Sequence, residues 1–345
     1  MKKLLLTTAL VGSLVAGNAI AQTTVTGNLN INFKSSDADV AGGTTNNSGR
    51  GFGNEQQINI QNKGKLNNGM DYAAGFSIEN DGGQSTTLFN ENVFIDFISG
   101  NTTLTIGADH IQNIDRTTST LVGGMEAADL ATGANGTGIF ITAPGSDPAQ
   151  SYHVGITQTV PGFGKFSALY APSDDSTQGT GITDKNFVET DNESAWEVGF
   201  TGDFGVKGLN AHVFYNEKDR TSGSQAFTPT AVNDEKGHNY GVSYNFGQVT
   251  IGYDYKRNVA ATVNADTSQN AYGVAYALTP NITLAGNYTK ADKDGTAADA
   301  KATTATVGYN LGPVSVLAYY SQLKNITGAA DVDANVIYLA ARTSF

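Results

Sequence analysis

Beyond residue 21 apolar and polar side chains alternate along most of the chain, in runs of about eight to eleven residues. Tyr240, Val242, Tyr244 and Phe246 fall on one face of such a run, and Asn239, Gly241, Ser243 and Asn245 on the other. Val249, Ile251, Tyr253 and Tyr255 then alternate with Thr250, Gly252, Asp254 and Lys256. A period of two points successive side chains to opposite sides of a pleated strand, so each run predicts a β-strand with one aromatic or aliphatic face. The other face carries glycine, hydroxyls and amides. Sixteen segments fit, near 24–34, 55–63, 72–79, 91–99, 102–108, 151–160, 165–170, 195–204, 209–216, 238–246, 249–256, 270–278, 282–290, 303–311, 314–323 and 334–345.

The connections alternate as well. Those after odd-numbered segments are long and polar (35–54, 80–90, 109–150, 171–194, 217–237, 257–269, 291–302, 324–333). Those after even-numbered segments are mostly tight, as at Gly100-Asn101, Gly247-Gln248 and Gly312-Pro313, with 64–71 somewhat longer. An even number of strands with short turns on one side and long loops on the other is the layout of a transmembrane antiparallel β-barrel. Strands of about nine to eleven residues are long enough to cross a bilayer when tilted, and lipid leaves no sheet edge unpaired, so the barrel has to close. The expected architecture is all-β, with about 16 strands, short periplasmic turns and long outer loops. It occupies residues 22–345 as one domain with no room for a plug.

Alternation alone does not say which face is wet. A soluble sandwich hides its apolar face, whereas a membrane barrel turns it outward. Aromatic residues near strand ends favour the membrane, because amphipathic rings settle at its two interfaces: Phe33, Tyr72, Phe97, Tyr152, Tyr170, Trp196, Phe204, Tyr215, Tyr320 and Phe345.

The first 21 residues stand apart. Lys2 and Lys3, an apolar run from Leu4 to Val15 and small residues at Ala19 and Ala21 predict an export signal cleaved after Ala21. Its removal takes two lysines from the formal charge of −12 and leaves −14. Such a charge argues against nucleic acid as a partner and favours cations in any pore. No cysteine is present, so disulfides contribute nothing to stability in an oxidising compartment.

The mature chain resembles the sixteen-stranded general porins of Gram-negative bacteria, particularly the alphaproteobacterial type. The likeness rests on the opening Thr24-Val25-Thr26-Gly27, on the strand Asn92-Val93-Phe94-Ile95-Asp96-Phe97 followed by Gly100 and Thr103-Leu104-Thr105-Ile106-Gly107, and on a last strand that ends in Phe345. The resemblance implies a homotrimer in the outer membrane, a third loop folded into the lumen, and diffusion of small hydrophilic solutes without energy input. It also implies that the terminal aromatic is read by the outer-membrane assembly machinery.

The 42 residues from 109 to 150 lie where that family keeps its constriction loop, and they carry Asp109, Asp115, Glu126 and Asp129 with one arginine, Arg116. These five are the expected constriction residues. The facing wall is rich in Asn and Gln, with Lys34, Lys63 and Arg342 as its expected cations; this departs from the family's arginine cluster. Acidic groups recur in the long loops, as at Asp174, Asp175, Asp331 and Asp333, and their oxygens suit calcium, which could link them to lipopolysaccharide phosphates. None has the spacing of a dedicated calcium loop, and solvated surface charge is the plainer reading. No cofactor is otherwise expected.

Enzyme chemistry finds little support. The four histidines lie on separate segments, and neither a zinc spacing nor a Gly-x-Ser-x-Gly elbow occurs, although alternation points His153 and His212 inward. A structural or adhesive barrel and a barrel hydrolase remain the alternatives to a cation-preferring diffusion pore.

Overall fold

A computed structural model describes residues 22–40, 49–81, 89–112, 114, 148–172, 194–219, 234–261, 265–326 and 332–345. Its strands are β1 (Gln22–Val40), β2 (Gly49–Lys65), β3 (Asp71–Asp81), β4 (Phe89–Ser99), β5 (Thr102–Ala108), β6 (His153–Val160), β7 (Gly164–Ala171) and β8 (Ala195–Gly202). The second half contains β9 (Leu209–Lys218), β10 (Glu235–Asn245), β11 (Val249–Val259), β12 (Thr267–Thr279), β13 (Ile282–Lys293), β14 (Ala300–Asn310), β15 (Val314–Lys324) and β16 (Val332–Ser344). Each strand pairs antiparallel with its sequence neighbours, and β1 pairs with β16 to close the barrel. The closing seam runs from Asn28 opposite Ser344 to Val40 opposite Val332, and is extended by two backbone hydrogen bonds between Gly27 and Phe345.

Which face is wet is now decided. Val25, Ile31, Leu104, Ile106, Val154 and Ile156 stand on the outer face and are 43–61% exposed. On the inner face Thr105, His153, Glu197, Asn239, Asp254 and Ser321 are at most 2% exposed. A soluble sheet protein has the reverse distribution. The apolar exterior is what a hydrocarbon solvent requires and the polar interior is what a lumen requires.

Two aromatic groups mark the ends of the outer face. Phe163, Phe166, Phe200 and Phe204 cluster on the short-turn side with ring centroids 4.8–6.2 Å apart, while Trp196 and Tyr215 meet at 5.3 Å toward the loop side. Three of the short turns share one construction. In Asp203-Phe204-Gly205, Asn245-Phe246-Gly247 and Asn310-Leu311-Gly312 the first side chain accepts a hydrogen bond from the amide two residues on, at 2.8–2.9 Å. The glycines at 247 and 312 take φ values of 95° and 90°, which a Cβ opposes. The apolar residue between stays exposed and joins the turn-side belt.

The strand count agrees with the alternation, but β1 and β2 run well past it. Residues 35–40 and 49–54, expected as loop, continue both strands: Ser36 lies opposite Gly49, and Asp39 opposite Asp333 of β16. Hydrophobic alternation stops where lipid stops, whereas ladder hydrogen bonds need only backbone and carry the hairpin into water. Gly49, Gly51 and Gly53, within the expected loop 35–54, therefore sit in a strand, with Asn32 Oδ1 beside the face of Gly53.

Candidate functional site

The connection after β5 begins inside the barrel. Asp109 takes a left-handed φ of 53°, tolerable for Asp, and its N–H donates to Ala149 O at 2.6 Å, so the outgoing and returning limbs are tied at their root. His110 turns back to stack on Phe94 of β4, and its Nε2 lies 3.1 Å from Asp96 Oδ2. Asp96 also accepts from Thr105 Oγ1 at 2.6 Å. Ile111 packs with Ala149 and with Leu169 of β7, over the bare face of Gly155 on β6. Gln112 Oε1 accepts from Thr201 Oγ1 of β8 at 3.0 Å.

Ile114 is fully buried, and both its backbone groups are held by inward side chains of the wall. Its N–H donates to Glu197 Oε2 of β8 at 3.2 Å, and its carbonyl accepts from Asn239 Nδ2 of β10. Asn239 is oriented in turn by His212 of β9, whose Nε2 donates to Asn239 Oδ1 at 3.0 Å and lies 3.5 Å from Asp254 Oδ1 of β11. Residues 109–112 and 114 thus track along the inner wall from β4 to β10. A buried carboxylate and amide that grip a main chain fix its path, because releasing either group leaves a buried polar atom unpaired.

Of the expected constriction residues, Asp109 is at this root, half-buried; Asp115, Arg116, Glu126 and Asp129 lie outside the described residues, as does the predicted signal 1–21. Of the expected wall cations, Lys34 and Arg342 lie on the inner face of the seam and Lys63 is exposed. Arg342 is level with Asn30; Lys34 stands four residues toward the loop side and Lys63, opposite Gln22, eight toward the turn side. At about 3.3 Å per residue these offsets are about 13 and 26 Å, so the three are strung along the barrel wall and do not cluster. Between them runs an amide lattice. Asn28 donates to Gln57 at 3.2 Å, Gln57 to Glu79 at 3.0 Å, and Ser77 to Asn59 at 2.5 Å.

His153 and His212 both point inward. His153 Nδ1 donates to Ser151 O at 2.9 Å. Among the described residues no group of three or more His, Asp or Glu is placed to hold a metal ion. Glu197, Asn239 and Asp96 were not singled out by sequence; each is a lone polar residue in an alternating run, and only its inward phase hinted at it.

On the turn side the lumen opens into a cavity of about 560 Å³ between β9 and β16. Amide and hydroxyl side chains alternate on its wall with Ala275, Ala277, Pro280 and Leu317, and among the described residues Arg342 is the one charged side chain on it.

The sequence profile described as Gram-negative porin matches residues 7–328. No curated protein matches the sequence. Among solved structures, an anion-selective porin from Comamonas acidovorans aligns with a TM-score of 0.65 at 15% identity, over 94% of this chain and 100% of that one. A triple mutant of Rhodopseudomonas blastica porin aligns with 0.63 at 14%, over 94% and 100%. A loop-deletion mutant of OmpT, an outer membrane protein of Vibrio cholerae, aligns with 0.63 at 14%, over 94% and 99%. At such identities the likeness is one of fold.

Proposed function

The chain belongs to the Gram-negative porin family and forms an outer-membrane barrel; from that premise we propose that it is a passive, water-filled and cation-preferring channel for small hydrophilic solutes, without enzymatic activity. The observation that carries this reading is the inverted wall, apolar outside and polar inside, closed on itself with the chain after β5 entering the lumen at Ile114. Sixteen strands enclose more space than the wall side chains can fill, leaving room for water around the inserted segment. Cation preference is supported by the charge of −14 beyond residue 21 and by Asp109 at the root of a connection that also carries Asp115, Glu126 and Asp129.

Export by residues 1–21, assembly as a homotrimer embedded among lipopolysaccharide, and calcium bridging among loop acids belong to the same reading. The purified protein in a planar bilayer is expected to give stepwise conductance increments with a reversal potential displaced toward cations in a salt gradient. Absence of steps overturns the channel, and a displacement toward anions overturns the preference alone.

A further inference from the structure

The turn-side cavity does not share the chemistry of the acidic loop. Apart from Arg342 of β16 its wall is uncharged, with hydrogen-bonding Asn210, Asn281, Asn310, Thr283 and Ser315 interspersed among small and apolar residues such as Ala275 and Leu317. Among the described residues no carboxylate pairs with Arg342, and its Nε is buried without a protein partner. Its register neighbour Asn30 is 7% exposed and leaves Oδ1 buried and equally unmatched. Both atoms are closed off within the wall, so a guest meets Arg342 through the terminal nitrogens of its guanidinium and takes its other hydrogen bonds from the amides and hydroxyls that line the cavity. The guanidinium fork itself fits a carboxylate with two parallel hydrogen bonds.

Charge limits the guest. Glu55 lies beyond Asn30 in register, two strands or about 10 Å from Arg342, and offsets part of its field. One cation facing a distant carboxylate suits a monoanion and disfavours a phosphate dianion. The volume lies within the range of small-molecule sites.

We propose that this cavity is a subsite for small hydroxylated monocarboxylates at the turn-side mouth of the lumen, with Arg342 holding the carboxylate and the Asn and Thr wall holding the hydroxyls. It rests on the channel reading only in that a solute must be able to reach it. The barrel wall would then prefer cations at one level and retain an organic anion at another.

The test is calorimetric titration of the folded, detergent-solubilised protein at low ionic strength with gluconate, acetate and glucose. Gluconate is expected to bind saturably at one site per barrel, about ten-fold more tightly than either control, and to weaken as salt rises. Arg342→Gln is expected to lose at least about ten-fold, Arg342→Lys to retain part of the affinity as a point charge does, and Glu55→Gln to tighten binding. Strand content by circular dichroism checks that each variant has folded. No saturable gluconate binding, equal binding by glucose or acetate, or full affinity in Arg342→Gln overturns the subsite. Swelling of protein-loaded liposomes in glucose is measured in parallel. Swelling without gluconate binding refutes the subsite and leaves the channel, whereas gluconate binding without swelling refutes the channel and leaves the subsite.

Discussion

At the scale of single residues, the wall is organised by what its glycines admit and by what its buried polar groups hold. A Cβ on Gly107 would meet the carbonyl of Val93, which the β4–β5 ladder keeps in place, while a Cβ on Gly155 would meet mainly the movable end of Ile111. Gly107→Ala is therefore expected to destabilise by about 1–3 kcal/mol, and Gly155→Ala by less, because its cost is the displacement of one side chain. Heat or urea unfolding in detergent ranks the two, and the reverse order would mean that the ladder yields more easily than the side chain. Glu197 and Asn239 act on one residue, Ile114, whose N–H and carbonyl they satisfy. Glu197→Gln keeps an acceptor but loses its charge; Asn239→Ala strands a buried carbonyl at a cost of about 1–3 kcal/mol. Open-channel current noise is expected to rise in Asn239→Ala and little in Glu197→Gln, and unchanged noise in Asn239→Ala would show that Ile114 is held by other means.

At the scale of elements, the closing seam depends on the last residue as much as on β16. Phe345 exchanges two backbone hydrogen bonds with Gly27, at 2.8 and 3.0 Å, and its ring lies over that glycine, so a Cβ there would stand 2.6 Å from the ring. Deleting Phe345 removes both bonds and an exposed aromatic from the turn-side belt, and is expected to lower the amount of assembled barrel in the outer membrane. Gly27→Val keeps Phe345 in the chain but sets a side chain against its ring and against the backbone carbonyl of Gln57 on β2, and is expected to produce the same defect. Quantifying folded barrel in isolated membranes checks both. Wild-type levels after the deletion would remove the terminal aromatic from the assembly mechanism.

At the scale of the whole molecule, the question is where charge meets the narrowest water. A charge in saline is felt over about 8–10 Å, comparable with a narrow pore, so acids on a segment inside the lumen outweigh acids on outer loops. Replacing Glu126 and Asp129 with Gln and Asn is expected to reduce the cation-to-anion permeability ratio, and the same change at Asp174 and Asp175 to leave it nearly unaltered. The preference should also weaken as salt rises. Reversal potentials measured for both pairs decide it: equal effects would take the constriction away from the connection after β5.

The strand count, the antiparallel order and the sidedness of turns and loops were legible in the sequence, because alternation and turn residues are local properties that lipid and water impose on every strand in the same way. The glycines of the tight turns were legible as well. Three things were not. The hairpin of β1 and β2 extends past its hydrophobic run because backbone pairing needs no apolar side chain. The direction of the apolar face is invisible to a period of two, which reads the same in a sandwich and in its inverse; aromatic residues near strand ends favoured the outward direction, and the closed sheet, with Ile31 exposed and Asn239 buried, decides it. The grip of Glu197 and Asn239 on Ile114, 83 and 125 residues away in sequence, exists because closure brings β8 and β10 around to meet a segment that leaves β5, and no local pattern encodes a distance across a lumen.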